Sequence, residues 1–94
     1  MTLDKLYKII LDRKMNLPKG SYTASLFKEG KDRIIQKVGE ESTEVVIAAK
    51  NENKTQIIYE VADLWFHILI LLAEMKITPR EILDELEKRR IKAV

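Results

Sequence analysis

Glu40, Glu41 and Glu44 form one acidic group along the chain, and Glu60 and Asp63 form a second. Glu41 and Glu44 are three positions apart, as are Glu60 and Asp63. At about 100° per residue, that spacing puts both members of a pair on one side of a helix. Like charges so placed destabilise an isolated helix by roughly 0.2–0.5 kcal/mol per pair. Burial raises the cost sharply unless the charge is compensated. Glu60 and Asp63 lie in what reads as the most apolar helix of the chain, where exposure should be low. A bound divalent cation is the simplest compensation. An all-oxygen carboxylate set selects a hard ion, above all Mg²⁺ or Mn²⁺. Mg²⁺ completes its shell with water and substrate phosphates, so such a cage points to phosphoryl-group chemistry.

The plainer reading is a solvated acidic face. For Glu40, Glu41 and Glu44 alone it would be preferred, since many soluble helices carry such a run. Glu60 and Asp63 shift the balance because they interrupt a helix that reads as buried. Arg33 and Lys37 fall on the acidic side of their helix, as partners of the glutamates or as contacts for phosphates. His67 lies one turn beyond Asp63 and reads as a core histidine bonded to a carboxylate rather than as a metal ligand. Trp65 and Phe66 read as core or interface, and Lys88 to Lys92 as a solvated helix end.

The elements that must position these groups are helices. Leu3, Leu6, Tyr7 and Ile10 form an apolar stripe on a first helix over Leu3 to Arg13. Asn16 to Gly20, with Pro18, ends it. Ser21 is the N-cap of a short helix through Lys28, and Gly30 its C-terminal cap. A long helix follows over Asp32 to Lys50, with Ile34, Val38, Val45 and Ala49 as its core stripe. Asn51 to Lys54 is a polar turn, and a second long helix runs from Thr55 to Met75. Thr78, Pro79 and Glu81 form a capping box that opens a last helix over Pro79 to Arg90, with Ile82, Leu83 and Leu86 facing inward. Strand signals are nearly absent. The expectation is one all-α domain over 1–94, four to five helices forming a bundle completed by dimerisation.

The 94-residue length fits one small domain, of a size that often gains burial by oligomerising. The chain has no cysteine, which excludes a disulfide framework and suits a reducing cytoplasm. One histidine makes an ordinary zinc site unlikely. The net charge of +2 arises from interleaved acids and bases, a poor match to a nucleic-acid binder. The first residues do not read as a signal peptide, and Leu64 to Ala73 is too short to span a membrane. A soluble, cytoplasmic protein is expected.

Glu-Glu-x-x-Glu at 40–44 followed by Glu60-x-x-Asp63 resembles the signature of the all-α nucleoside-triphosphate pyrophosphohydrolases, the MazG-like superfamily. Ser21-Tyr22-Thr23, Leu26, Gly30, Lys37 to Glu41, Glu44, Ala62 to Leu64 and His67 to Leu72 are more similar to one branch, the phosphoribosyl-ATP pyrophosphohydrolases of histidine biosynthesis. The resemblance spans Ser21 to Arg90. It departs at Phe66, where that branch often has tyrosine, and at Lys76, where it often has glycine. The cyclohydrolase domain fused to some members does not accompany this sequence, which reads as a stand-alone form.

The resemblance implies Mg²⁺-dependent hydrolysis of the α–β phosphoanhydride of N1-(5-phosphoribosyl)-ATP to phosphoribosyl-AMP and pyrophosphate by a homodimer. Glu41, Glu44, Glu60 and Asp63 are then the expected metal ligands, and Glu40 the carboxylate for the attacking water or a second metal. Arg33 and Lys37 would contact phosphates, and Ser21, Thr23 and Lys28 the substrate from a covering loop. The competing readings are a house-cleaning pyrophosphohydrolase for other nucleotides and a non-catalytic helical dimerisation module. A di-iron bundle is set aside, because no glutamate precedes His67 by three residues.

Overall fold

A computed structural model describes the backbone of residues 1–93 and the side chains of residues 1–90. The expected side chain of Lys92 and the end of the domain at Val94 lie outside these. The described residues form five helices and no strand: α1 Leu3–Asn16, α2 Tyr22–Glu29, α3 Lys31–Lys50, α4 Lys54–Glu74 and α5 Pro79–Ala93. The all-α expectation holds, with element ends displaced by one to three residues.

The helix ends follow from local chemistry. Ser21 Oγ accepts from the Ala24 N–H at 3.1 Å and caps α2. Gly30 separates α2 from α3 with φ 104°, a conformation that a side chain would strain. Asn53 Oδ1 accepts from the Gln56 N–H at 3.0 Å and caps α4. The Thr78–Glu81 box closes in both directions: the Thr78 N–H donates to Glu81 Oε2 at 2.8 Å, and the Glu81 N–H donates to Thr78 Oγ1 at 3.3 Å.

The α3–α4 hairpin is the frame of the molecule and its most extensive helix pair. A short turn makes the two helices antiparallel. The residues of α3 that lose solvent include Ile34, Val38, Glu41, Val45 and Ala48, with Arg33, Lys37 and Ser42 beside them; those of α4 include Ile57, Glu60, Leu64, His67 and Leu71. Each set alternates steps of four and three, which is the seam of a coiled coil. This corrects the expected stripe in two ways. Ala48 lies in the seam and Ala49 is exposed, because a packed pair follows 3.5 rather than 3.6 residues per turn. Glu41, expected beside the stripe, is a member of it.

One end of the hairpin is closed by the apolar core: Tyr7 and Ile10 of α1, Leu26 of α2, Ile34 of α3, and Leu69, Ile70, Leu72 and Ala73 of α4. Two polar contacts fasten α1 there. Tyr7 Oη donates to the Ile77 carbonyl at 2.6 Å, and Lys14 Nζ to the Ala73 carbonyl at 2.8 Å. The second places a cation at the carbonyl end of α4.

α5 departs from expectation. Ile82, Leu83 and Leu86 do not face inward; they are 44%, 56% and 55% exposed. Pro79 is buried, but beyond it the helix stands off α4. Its apolar side opens onto a groove of about 460 Å³ whose other walls include Leu3 of α1 and Trp65, Ile68 and Leu72 of α4. By length and composition α4 could cross a bilayer. It carries Glu60, Asp63 and His67 and packs on α1 and α3, so we read it as a core helix.

Two stability outcomes follow. Lys76 adopts φ 59°, the left-handed conformation after α4. That costs a side chain about 1–2 kcal/mol, against roughly 0.5–1 kcal/mol of extra chain entropy for glycine. Lys76→Gly should therefore stabilise the protein by about 0.5–1 kcal/mol in urea unfolding at fixed protein concentration. Tyr7→Phe should cost about 1 kcal/mol in the same measurement, by leaving the Ile77 carbonyl without its donor.

Candidate active site

At mid-hairpin the seam becomes polar. Glu41, Glu60 and His67 occupy positions an apolar residue would fill and are only 7%, 6% and 3% exposed. Asp63 lies beside them, half-buried. Glu41, Asp63 and His67 each bring a potential ligand atom within 4.8 Å of the others. The two acidic groups expected to face each other therefore do so, through Glu41 and Asp63.

The electrostatics record the crowding. Burial opposes charge on Glu41, but a hydrogen bond from Asp63 and the Lys37 ammonium outweigh it and hold this carboxyl below its ordinary range. Burial raises Asp63, and the hydrogen bond to Glu41 and the Glu41 charge raise it further. Their proximity thus drives the titrations of the two carboxyls apart, Glu41 toward its charged form and Asp63 toward its protonated form. Burial also raises Glu60, and Glu44, Glu41 and Asp63 add to the effect; the Gln56 amide, 3.1 Å from Glu60 Oε1, opposes it. Glu44 is exposed and lies outside the compact cluster, although its charge reaches Glu60.

The cations sit to one side. Lys37 Nζ lies 3.2 Å from Glu41 Oε1 and 3.5 Å from Glu40 Oε1. Burial disfavours its charge, but the hydrogen bond to Glu41 and the nearby negative groups prevail and raise its pKa. Arg33 is looser, 4.0 Å from Glu40 and 3.9 Å from Glu29. Glu40 itself is exposed and accepts from the Gln36 amide at 3.0 Å.

His67 holds two elements in register. Its Nδ1–H donates to the Asp63 carbonyl at 2.8 Å, since that oxygen can only accept, and lies 3.3 Å from Asp63 Oδ1. Its Nε2 faces the Tyr22 hydroxyl at 2.9 Å. Both ring nitrogens are engaged, in keeping with the expected core histidine. The rings of Tyr22 and Phe66 meet the imidazole edge-on at 5.7 and 5.4 Å. Tyr22 is the contact that sequence reasoning missed. The motif Ser21-Tyr22-Thr23 was visible, but only the fold shows that its tyrosine reaches the cluster. Of its neighbours, Ser21 caps α2, Thr23 is buried, and Lys28 is exposed further along the helix.

The apolar groove beneath α5 is not at the carboxylates. It lies between α1, α4 and α5 with a mostly apolar lining, in which Thr2 and Asp4 are the polar members, and it holds no pair of carboxylates. A second hollow of about 320 Å³, lined by Ile58, Tyr59, Ala62, Asp63 and Phe66, abuts the acidic centre. The acidic cluster itself suits a divalent metal. Glu41 and Asp63 bring ligand atoms within 4.8 Å of one another, and both offer hard oxygen donors.

Comparison with known proteins agrees with this chemistry. The family model for phosphoribosyl-ATP pyrophosphohydrolase matches residues 3–90. The phosphoribosyl-ATP pyrophosphatase of Geobacter sulfurreducens is 53% identical over 87 residues, 93% of this chain and 81% of that protein. That of Saccharolobus islandicus strain L.S.2.15 is 52% identical over 88 residues, 94% of both chains. The histidine biosynthesis bifunctional protein HisIE of Caldanaerobacter subterraneus is 55% identical, but this chain spans only 42% of its length. The resemblance read from Ser21 to Thr23, Lys37 to Glu41, Ala62 to Leu64 and His67 is borne out, and with it the hydrolase class of those relatives: the chain belongs to the phosphoribosyl-ATP pyrophosphohydrolase family.

Proposed function

We propose that this protein hydrolyses the α–β phosphoanhydride of N1-(5-phosphoribosyl)-ATP, releasing pyrophosphate and phosphoribosyl-AMP, the second step of histidine biosynthesis. The observation that carries the reading is the close apposition of Glu41 and Asp63, with ligand atoms within 4.8 Å, on a hairpin whose sequence is that of the family.

Glu41 and Asp63, flanked by Glu44 and Glu60, would hold Mg²⁺, which supplies neutralisation of the polyphosphate and of the charge gathering on the leaving pyrophosphate. Glu40 is the carboxylate free to accept the proton of the attacking water: it is exposed at the rim and bonded only by cations and an amide. Lys37 and Arg33, at the same rim, meet the phosphates, Lys as a point charge and Arg through two parallel bonds. His67 orients Asp63 and carries no step. Ser21, Thr23 and Lys28 are proposed to bound the substrate from α2, with Tyr22 as the tie that holds that helix against the site.

The protein is proposed to be soluble and cytoplasmic, and three features support a homodimer. The domain is small, Trp65 is 54% exposed, and the apolar sides of α4 and α5 face each other across an open groove. A second copy that buried this groove would complete the bundle.

Pyrophosphate release from phosphoribosyl-ATP, with and without Mg²⁺ and beside a panel of free nucleoside triphosphates, tests the activity. Preference for phosphoribosyl-ATP and loss without metal are expected; preference for a free triphosphate would overturn the substrate. Glu44→Gln, Glu41→Gln and Asp63→Asn should each abolish turnover while circular dichroism stays helical. Near-wild-type rates in Asp63→Asn would sink the carboxylate cage.

A pH dependence follows as well. Asp63 titrates above its ordinary range in the fold, so the fold favours its protonated form. Its contribution to stability is full below the ordinary carboxylate range and is lost as pH rises through the elevated value. Metal-free Asp63→Asn should therefore be more stable than wild type at neutral pH, and the advantage should vanish on acidification, as read by urea midpoints. Leu83→Glu should shift the protein from dimer to monomer in light scattering. A monomeric wild type would refute the dimer.

A further inference from the structure

Lys37 is the best-placed cation at the site. Its side chain is only 18% exposed, and its ammonium bridges Glu41 Oε1 at 3.2 Å and Glu40 Oε1 at 3.5 Å. It springs from α3 one turn before both glutamates, so its stem lies along the seam and its head reaches the carboxylates without leaving the helix surface. Arg33, at 4.0 Å from Glu40, has no comparable hold on Glu41. Lys37 therefore occupies the electrostatic position that a divalent ion would claim. Both cations cannot keep Glu41 at full strength, since a fixed positive charge beside a ligand oxygen repels an incoming ion.

We propose that Lys37 is a tethered stand-in cation: it neutralises Glu41 and Glu40 while metal is absent, and passes to the incoming polyphosphate when a divalent ion takes the carboxylates. This rests on the reading of the carboxylates as a divalent-metal site. Its consequence is that metal alone binds weakly, while metal and polyphosphate favour one another, because the phosphate gives the displaced ammonium a new partner. The coupling is reciprocal by linkage. It would suppress loading of the site by metal alone and favour entry of the ion with its nucleotide.

One substitution should move the two affinities in opposite directions. In Lys37→Gln, Mn²⁺ alone should bind more tightly than to wild type, by roughly fivefold or more, the lower end of ordinary coupling between sites. The preformed Mn²⁺–pyrophosphate complex should bind more weakly by a similar factor. Lys37→Arg, which keeps the charge, should stay near wild type for Mn²⁺ alone. A merely structural role would weaken both ligands together. Titration calorimetry at fixed pH and ionic strength reads both affinities without turnover, and Lys37→Met, which keeps the aliphatic stem, replaces the glutamine variant should that fail to fold. If wild type binds Mn²⁺ and the neutral variants bind it no tighter, the stand-in role is overturned and the metal site survives. If wild type and Lys37→Gln bind neither Mn²⁺ nor its pyrophosphate complex, the metal reading itself fails, and this inference with it.

Discussion

The structure depends on one constraint: two carboxylates, Glu41 and Asp63, are brought together by a helical hairpin that would pack better without them. The seam of α3 and α4 has the four-three rhythm of a coiled coil, and that rhythm asks for apolar residues. It receives Glu41, Glu60 and His67 instead. Acidic side chains on one helix alone could turn to solvent. On two helices joined by a short turn they cannot both do so, because the rest of the seam fixes the rotation of each helix. The opposed titration of Glu41, lowered, and Asp63, raised, is the consequence. A site strained in this way is ready for a cation, and a fold whose stability lies elsewhere can tolerate it.

That stability lies at the other end of the hairpin. Ile10, Leu26, Ile34 and Ile70 are the most deeply buried side chains, and they bring together four helices. The core and the site are thus separate stretches of one seam. Tyr22 links them: it stands on the helix that contributes Leu26 to the core, and its hydroxyl reaches His67 in the site. His67 in turn binds the carbonyl and approaches the carboxylate of Asp63. The position of Asp63 is therefore set by its own helix and also, through the imidazole, by the packing of α2.

Much of this was legible in the sequence, for local reasons. Ser21, Gly30, and the Thr78–Glu81 pair mark helix ends by chemistry confined to a few residues, and each does so in the fold. The glutamates' sidedness follows from helical period alone. The glycine that the family resemblance implies at position 76 would suit the left-handed backbone that Lys76 adopts. What stayed hidden depends on distant neighbours. The exchange of Ala49 for Ala48 reflects the slight underwinding that packing imposes. The outward face of α5 could not be inferred from Ile82, Leu83 and Leu86, because an apolar stripe says that a surface will be covered and not by which chain. The Tyr22–His67 contact joins residues 45 apart in sequence and has no periodic signal.

These demands meet on α4, which explains why that helix is apolar on nearly every side. One side, through Glu60, Asp63 and His67, faces the site. A second, through Ile70 and Ala73, closes the core with α1 and α2. A third, through Trp65, Ile68 and Leu72, faces the open groove beneath α5. A helix used on one side would show a simple amphipathic stripe; one used on three shows an apolar surface broken only where chemistry is done. Glu60 and Asp63 thus signal function because nothing in the packing of α4 calls for them. Any contact made in the groove bears on the backbone that carries Asp63, within one rigid element. Burial of that groove would stabilise the helix on which the acidic pair is aligned, so that assembly of the protein and alignment of its carboxylates are one structural problem with a shared solution.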